Sequence, residues 1–410
     1  MDNTPPPVIP LEEFHSRWER VQALMERLGL DILIAYADDH ATYGPAHARW
    51  LANFPVYFEP AAILFARHRE PILLSGPESD AYAKLIGHIQ DVRVLREFTH
   101  PGEDYPFTRI QSLSEIIREI VPDLQSVHKI GIAGRSLMSA DTLAAFHQAL
   151  PQGSWMDIEN EVCLLRAVKT PAEIAVIRYA YKIADIGIQA AVDAIQPGVT
   201  EREIAAAAES AMRHAGAEGT GIDTIVASGE NTRPILARST FRKIAENDLV
   251  LLTFTPRYEG YHGAIGRLVL VGNPDEEIKK ALLVAVDAQQ VCYHAMRPGI
   301  QGSVVEKAGR EIVTSAGLGS HFLYSGLHSI GVIEFEPPIF GPSGRALLEK
   351  DMVVSVDIPL FNATWGGLRV EDGYLITSEW AERLNETPYI IHKEVKAEKA
   401  PKQKKKHKHH

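Results

Sequence analysis

The chain has 410 residues, 45% of them hydrophobic and 23% charged, with only two cysteines. That balance excludes a disordered, collagenous or disulfide-stapled chain, and at about 100–200 residues per domain it predicts two or three domains. The net charge of −11 makes nucleic acid a poor partner for the main surface, and no run of ~20 apolar residues offers a membrane span.

The start, Met1-Asp2-Asn3-Thr4-Pro5-Pro6-Pro7, lacks the basic and apolar regions of a signal peptide, so a cytoplasmic location is expected. Phe14, Trp18, Val21, Leu24, Met25 and Leu28 recur at helical spacing, with Gly29 as a stop. Apolar runs at Ile32–Tyr36, Ala61–Phe65, Pro71–Leu74 and Ile130–Ala133 have the length of buried strands. Helical stretches near Leu113–Ile120 and Ala140–Leu150 fall between or beyond them. This alternation predicts a small α/β domain over residues 1–157.

A second domain is expected over residues 165–390. Thr170-Pro171-Ala172-Glu173 reads as a helix start, with Thr as N-cap, Pro in the first position and Glu closing the capping box. A second box, Thr200-x-x-Glu203, opens the next helix, which stops near Gly216. Strands are expected at Ile222–Ala227 and across Leu249–Val271. An internal echo then appears: Pro197-Gly198-Val199 leads to Ala215-Gly216, and Pro298-Gly299-Ile300 leads to Ala316-Gly317, at the same spacing. Two α–α–β halves related by a pseudo-twofold axis are the simplest reading. The tail, 393–410, has eight Lys and two Glu, a balance of +6 that leaves −17 on the rest. Its composition predicts a disordered extension and the one segment whose charge suits an anion or RNA.

The glycine pairs, Gly131-x-x-Gly134 among them, make no dinucleotide or phosphate loop. No Gly-x-Ser-x-Gly elbow appears, and Cys163 and Cys292 lie outside any redox or metal motif.

Several segments together resemble the creatinase, prolidase and aminopeptidase P superfamily: Leu165–Ile174, Pro197-Gly198-Val199-Thr200-Glu201, Asp248–Gly272, His328-x-x-Gly331 through Glu336-Pro337-Pro338, Asp351–Asp357 and Gly367–Asp372. The resemblance covers most of the chain. It implies an α/β N-terminal domain, an α+β pita-bread C-terminal domain with pseudo-twofold duplicated halves, and a homodimer. Peptidase members hold two metal ions on two Asp, one His and two Glu, and these positions transfer onto Thr253, Ala264, His328, Asp357 and Glu371. Thr253 offers a neutral hydroxyl, Ala264 offers nothing, and Asp357 is one methylene short. A bridged pair of ions needs bridging carboxylates. The ligand count therefore predicts no catalytic metal, with a single ion on His328, Asp357 and Glu371 as the alternative. A further histidine of the peptidases falls on Phe335, which disfavours ordinary Xaa-Pro peptidase action.

Creatinases use the same fold without metal, with a histidine as acid and base and carboxylates gripping a guanidinium group. Here that histidine falls on Leu236, and a substrate-gripping Glu falls on Gly266, so creatine itself is not the expected substrate. The resulting expectation is metal-independent hydrolysis of a C–N bond in a small cationic or amide substrate. His328, Glu336, Asp357 and Glu371 are the candidate catalytic residues, and Arg238, His262, Tyr324 and Arg369 the candidate substrate-binding ones. Strand alternation puts His262 on the face of Ala264, and Arg238 suits a carboxylate. Tyr43, Arg49, Trp50 and Tyr57 lie in the stretch that, in relatives, reaches a partner subunit's site, and their aromatic density is read first as domain core or dimer interface. A non-catalytic ligand- or protein-binding relative is the competing reading from another class.

Overall fold

A computed structural model describes residues 5–121 and 123–395. The first seven strands are β1 (Ile32–Ala37), β2 (Ala61–Ala66), β3 (Ile72–Ser75), β4 (Asp91–Leu95), β5 (Ile110–Gln111), β6 (Lys129–Ala133) and β7 (Ser154–Asp157). They form one sheet in the order β5-β4-β3-β2-β1-β6-β7. β1, β2 and β3 are buried throughout, which is why they read as continuous apolar runs rather than alternating ones. Helices α1 (Leu11–Leu28), α2 (Ala46–Ala52), α3 (Asp80–Ile86), α4 (Leu113–Ile120) and α5 (Ala140–Ala149) accompany this sheet.

After α6 (Glu159–Leu164) the chain enters the second unit through α7 (Pro171–Ala194) and α8 (Glu201–His214). Both expected capping boxes are present, Thr170 with Glu173 and Thr200 with Glu203. The following strands are β8 (Gly219–Thr220), β9 (Ile225–Ser228), β10 (Leu249–Phe254), β11 (Pro256–Tyr258), β12 (Tyr261–His262) and β13 (Ile265–Val271). The second helix pair, α9 (Glu276–Ala295) and α10 (Gly302–Ser315), precedes β14 (Leu327–Ser329), β15 (Glu336–Ile339), β16 (Val353–Ala363), β17 (Gly366–Ile376), β18 (Ala381–Arg383) and β19 (Ile390–Lys393). The large sheet runs β15-β14-β16-β17-β13-β10-β9, with β18 on β17 and β19 on β13, while β12-β11-β8 form a separate small sheet.

The echo in sequence is an echo in structure. Gly198 and Gly299 take φ of 91° and 86°, a left-handed turn that glycine adopts without a Cβ penalty. Each then makes the same two-way backbone exchange, Gly198 and Val199 with Ile244, Gly299 and Ile300 with Leu348. Lys393, the first residue of the expected tail, ends β19, and the rest of that expectation over residues 396–410 lies outside the described residues.

The two units share a core. One apolar cluster runs from Phe14, Trp18 and Trp50 to Val176, Tyr181 and Ile265. At its centre Glu173 closes its capping box and also accepts from Arg17, Trp50 and Tyr261. A helix start thereby joins the N-terminal unit to the small sheet.

Candidate active site

Strand register lays out most of the ligand positions in one row. Asp357 pairs with Glu371, Glu371 with Gly266, and Gly266 with Thr253. His328 pairs with Ser355, two residues before Asp357. The two eleven-residue strands β16 and β17 fix this register, because a slip of one residue would turn every buried side chain to the other face.

Along that row the charges divide into two groups. In the first, the Arg369 guanidinium contacts Thr253 Oγ1 at 3.3 Å, Tyr324 Oη at 2.5 Å and Asp357 Oδ2 at 3.3 Å. Tyr324 Oη donates to the same Asp357 oxygen at 2.5 Å. Gly266 makes room for this: a Cβ there would stand 2.6 Å from Arg369 Cγ and 3.0 Å from Glu371 Cβ. Burial works against the Arg369 cation, but Asp357, Tyr324 and Glu371 together hold it charged, above its ordinary value. Burial also pushes the Tyr324 phenol well up, so it stays a donor.

The second group is His328, Glu334 and Glu371, each offering a ligand atom within 4.8 Å of the others, all three buried. One hydrogen bond orients each. The His328 Nδ1 donates to the Ser329 carbonyl at 2.9 Å, which leaves Nε2 as a bare acceptor without a partner among the described residues. Tyr43 Oη donates to Glu334 Oε2 at 3.0 Å, and Ser355 Oγ donates to Glu371 Oε1 at 2.8 Å. Burial, and then Asp357, push the Glu371 carboxyl well above the usual carboxylate range, with Arg369 pulling it back. The Phe335 ring lies 4.4 Å from the His328 ring and is partly exposed, giving the group an apolar rim.

The expected residues are thus partly regrouped. His328 and Glu371 stand together as expected, and Asp357, Tyr324 and Arg369 stand beside them. Asp357 is not part of the three-ligand group; its Oδ2 meets Arg369 and Tyr324, while its Oδ1 is buried without a hydrogen-bond partner among the described residues. Glu336 departs from the expectation: it is fully buried, 2.8 Å from Lys169 Nζ and 3.3 Å from Arg166 Nε, and serves an ion-pair cluster. Arg238 also departs from it, lying exposed in an ion pair with exposed Asp223. His262 does not share the face of Ala264, since β12 leaves the large sheet. It lines a small cleft with Tyr43, Arg49, Arg257 and Val332, its Nδ1 donating to the Gly331 carbonyl at 3.0 Å. Arg49 and Trp50 are packed between the units, while Tyr57 is exposed.

Glu334 was missed. The available signal was a carboxylate set in an otherwise apolar run, Val332-Ile333-Glu334-Phe335, where a buried charge demands a partner.

Two long helix pairs cradling one curved sheet, with an ionisable row across its middle strands, define the pita-bread class of hydrolase scaffold. Residues 175–378 match Metallopeptidase family M24, and residues 17–168 match the Creatinase/Prolidase N-terminal domain; the chain belongs to this family. It is 30% identical over 292 residues to the Xaa-Pro dipeptidase of Pyrococcus furiosus, spanning 70% of this chain and 83% of that protein. The Xaa-Pro dipeptidase of Pyrococcus horikoshii is 26% identical, over 80% of this chain and 93% of its own. The prolidase structure from Pyrococcus furiosus superposes with a TM-score of 0.75 at 25% identity, covering 90% of this chain and 99% of that one. Dipeptidase PepE from Mycobacterium ulcerans shares the fold at a TM-score of 0.79 and 20% identity, over 95% and 100% of the two chains. Among the described residues, no helix is long and apolar enough to cross a membrane.

A two-ion centre does not fit these residues. Thr253 and Ala264 bring no charge, Arg369 presses a cation against Thr253 and Asp357, and of the two carboxylates left in the row Asp357 is one methylene short. Two divalent ions need several bridging carboxylates to offset their repulsion.

Proposed function

We propose that the chain is a hydrolase that splits the C–N bond of a small amide or peptide-like substrate at the His328–Glu334–Glu371 group, without a paired-ion centre. The observation that carries this reading is the convergence of three buried side chains, one imidazole and two carboxyls, at the middle of a family scaffold. The likeness to dipeptidases supports it.

The imidazole and the two carboxyls face one space and can hold a water between them. The carboxylate pair takes one proton as the oxygen attacks the amide carbon, and that proton passes to the departing nitrogen. Arg369 sets a fixed positive charge beside Glu371, where oxyanion charge develops. Phe335, in place of a polar residue, gives an apolar substrate group a ring to rest on. The proposal includes the homodimer and the cytoplasmic location that the sequence suggests.

The test is amine release from a panel of Xaa-Pro and other dipeptides, acyl amides, amidines and guanidines, with the full-length chain. At least one class is turned over, and His328→Ala and Glu334→Gln each lose that turnover with an unchanged melting temperature. Equal turnover in both variants, or none by the folded parent on any class, overturns the reading.

A further inference from the structure

We propose that Tyr181 is a further catalytic residue of this centre, its buried phenolic O–H donating to the carbonyl oxygen of the amide as that oxygen takes up charge. The inference deepens the proposed hydrolase and rests on that reading for its substrate class.

Two phenols of the site are already committed. Tyr324 Oη donates to Asp357 Oδ2 at 2.5 Å, and Tyr43 Oη donates to Glu334 Oε2 at 3.0 Å. A third, Tyr181 on α7, is wholly buried, and its O–H has no acceptor among the described residues. A buried donor in that state is costly unless something arrives to accept from it.

The backbone places this hydroxyl on the face of the candidate site. A Cβ at Gly373 would stand 2.0 Å from Tyr181 Cζ and 2.1 Å from its Oη, so the phenol end fills the place of a side chain at 373. Gly373 lies two residues after Glu371 on β17, in unbroken register, so that place is on the Glu371 face. Gly373 pairs with Ser355, and Ser355 pairs on its other side with His328. The Tyr181 hydroxyl thus ends a row that starts at His328. Ser355, in the middle of that row, donates to Glu371 Oε1 at 2.8 Å.

Small residues make the approach of α7 possible. A Cβ at Gly263 would stand 2.6 Å from Tyr181 N, and Ala264, where the resemblance expects an acidic ligand, brings only a methyl. Burial first, then Glu371 and Glu334, push the phenol well above its ordinary value. The Ala264 N–H pulls the other way from the oxygen side and leaves the O–H free to donate.

Arg369 and Tyr181 divide the work along β17. Arg369, two residues before Glu371, is spent on Thr253, Tyr324 and Asp357 and supplies a field. Tyr181, at the place two residues after Glu371, supplies the contact.

In the step, the water oxygen bonds to the amide carbon and the carbonyl π pair moves onto its oxygen. The proton that water loses goes to the carboxylate pair. On collapse the C=O bond re-forms, the C–N bond breaks, and the nitrogen leaves with that proton. Tyr181 keeps its own proton throughout, and its hydrogen bond strengthens as the oxygen becomes charged.

The test is Tyr181→Phe in the full-length chain. The readouts are turnover of the class that the amine-release panel finds, melting temperature, and binding of trifluoroacetone followed by fluorine NMR. The hydrate of that ketone is a neutral copy of the tetrahedral carbon. The variant lowers kcat by roughly 10²–10³-fold with KM within about threefold of the parent. It binds the ketone roughly tenfold more weakly, the worth of one hydrogen bond. It melts at or above the parent's temperature, because no bond within the fold is lost.

A kcat within about threefold of the parent, a change in KM alone, a lower melting temperature, or ketone binding that is absent or unaltered each overturns the inference. The two readings fail separately. Ketone held through Tyr181 by a chain that splits no amide removes the hydrolase and leaves Tyr181 as the carbonyl-binding donor. Turnover that Tyr181→Phe leaves intact removes only the role of Tyr181.

Discussion

Replacing Glu336 by Gln separates a structural carboxylate from a catalytic one. Glu336 is fully buried and its two cationic partners are nearly so, Arg166 at 1% and Lys169 at 3% exposure. Glutamine keeps the shape and removes the charge, leaving two buried cations with no carboxylate between them. Lys169 retains its bond to the Arg166 carbonyl at 2.6 Å, and Arg166 retains Cys163 Sγ at 3.1 Å, but these neighbours are neutral. Breaking a buried pair by deleting one partner costs about 3–5 kcal/mol. For a chain of this size that is a fall in melting temperature of roughly 3–6 °C. Tryptophan fluorescence reports it, because Trp50 lies 5.9 Å from the Arg166 guanidinium. Lys169→Met added to Glu336→Gln restores part of the loss by removing one stranded cation. Turnover, measured well below the transition, persists in the single variant. An unchanged melting temperature with turnover abolished would refute the structural assignment and return Glu336 to the chemistry.

Two further outcomes follow from the same geometry. Burial lowers the His262 imidazole from its ordinary 6.5 to about 3, so it stays neutral in the fold while the unfolded chain protonates below 6.5. Its contribution is complete above pH 6.5 and is lost as pH falls toward 3, amounting to about 2 kcal/mol between pH 8 and pH 5. Urea titrations across that range show a flatter slope for His262→Gln than for the parent, and parallel curves would mean that the imidazole is hydrated. Gly266→Ala drives a methyl into the Arg369 stem at a cost of about 1–3 kcal/mol. It also lowers turnover by pulling the guanidinium off Thr253 and Asp357. If both stability and turnover stay at parental values, the channel that Gly266 is held to open does not exist.

The parts of the fold that were legible in the sequence are those with local causes. Thr170 and Thr200 open their helices because the capping chemistry is complete within four residues. The 357–371 pairing was legible through the family spacing, and two long strands left no room for a slip. Glu334 was not legible, because its segment is a bend rather than a strand and its direction is set by Tyr43, 291 positions away. His262 was misplaced for the converse reason: alternation holds along one strand, and here the hairpin turns into another sheet before Ala264. Glu336 carried a family motif, but its partners sit at the domain entry, 167 residues away in the case of Lys169, and no local pattern couples them.

The Glu173 knot has a mechanical consequence. With Arg17, Trp50 and Tyr261 all drawn onto one capping carboxylate and an apolar cluster continuous through it, the two units have no hinge to swing on. The N-terminal unit is a fixed jaw, and through Tyr43 it hands a hydroxyl to Glu334 of the candidate site. Under the proposed function, any movement that admits substrate is then expected of rim side chains such as the exposed Phe335 rather than of the two units.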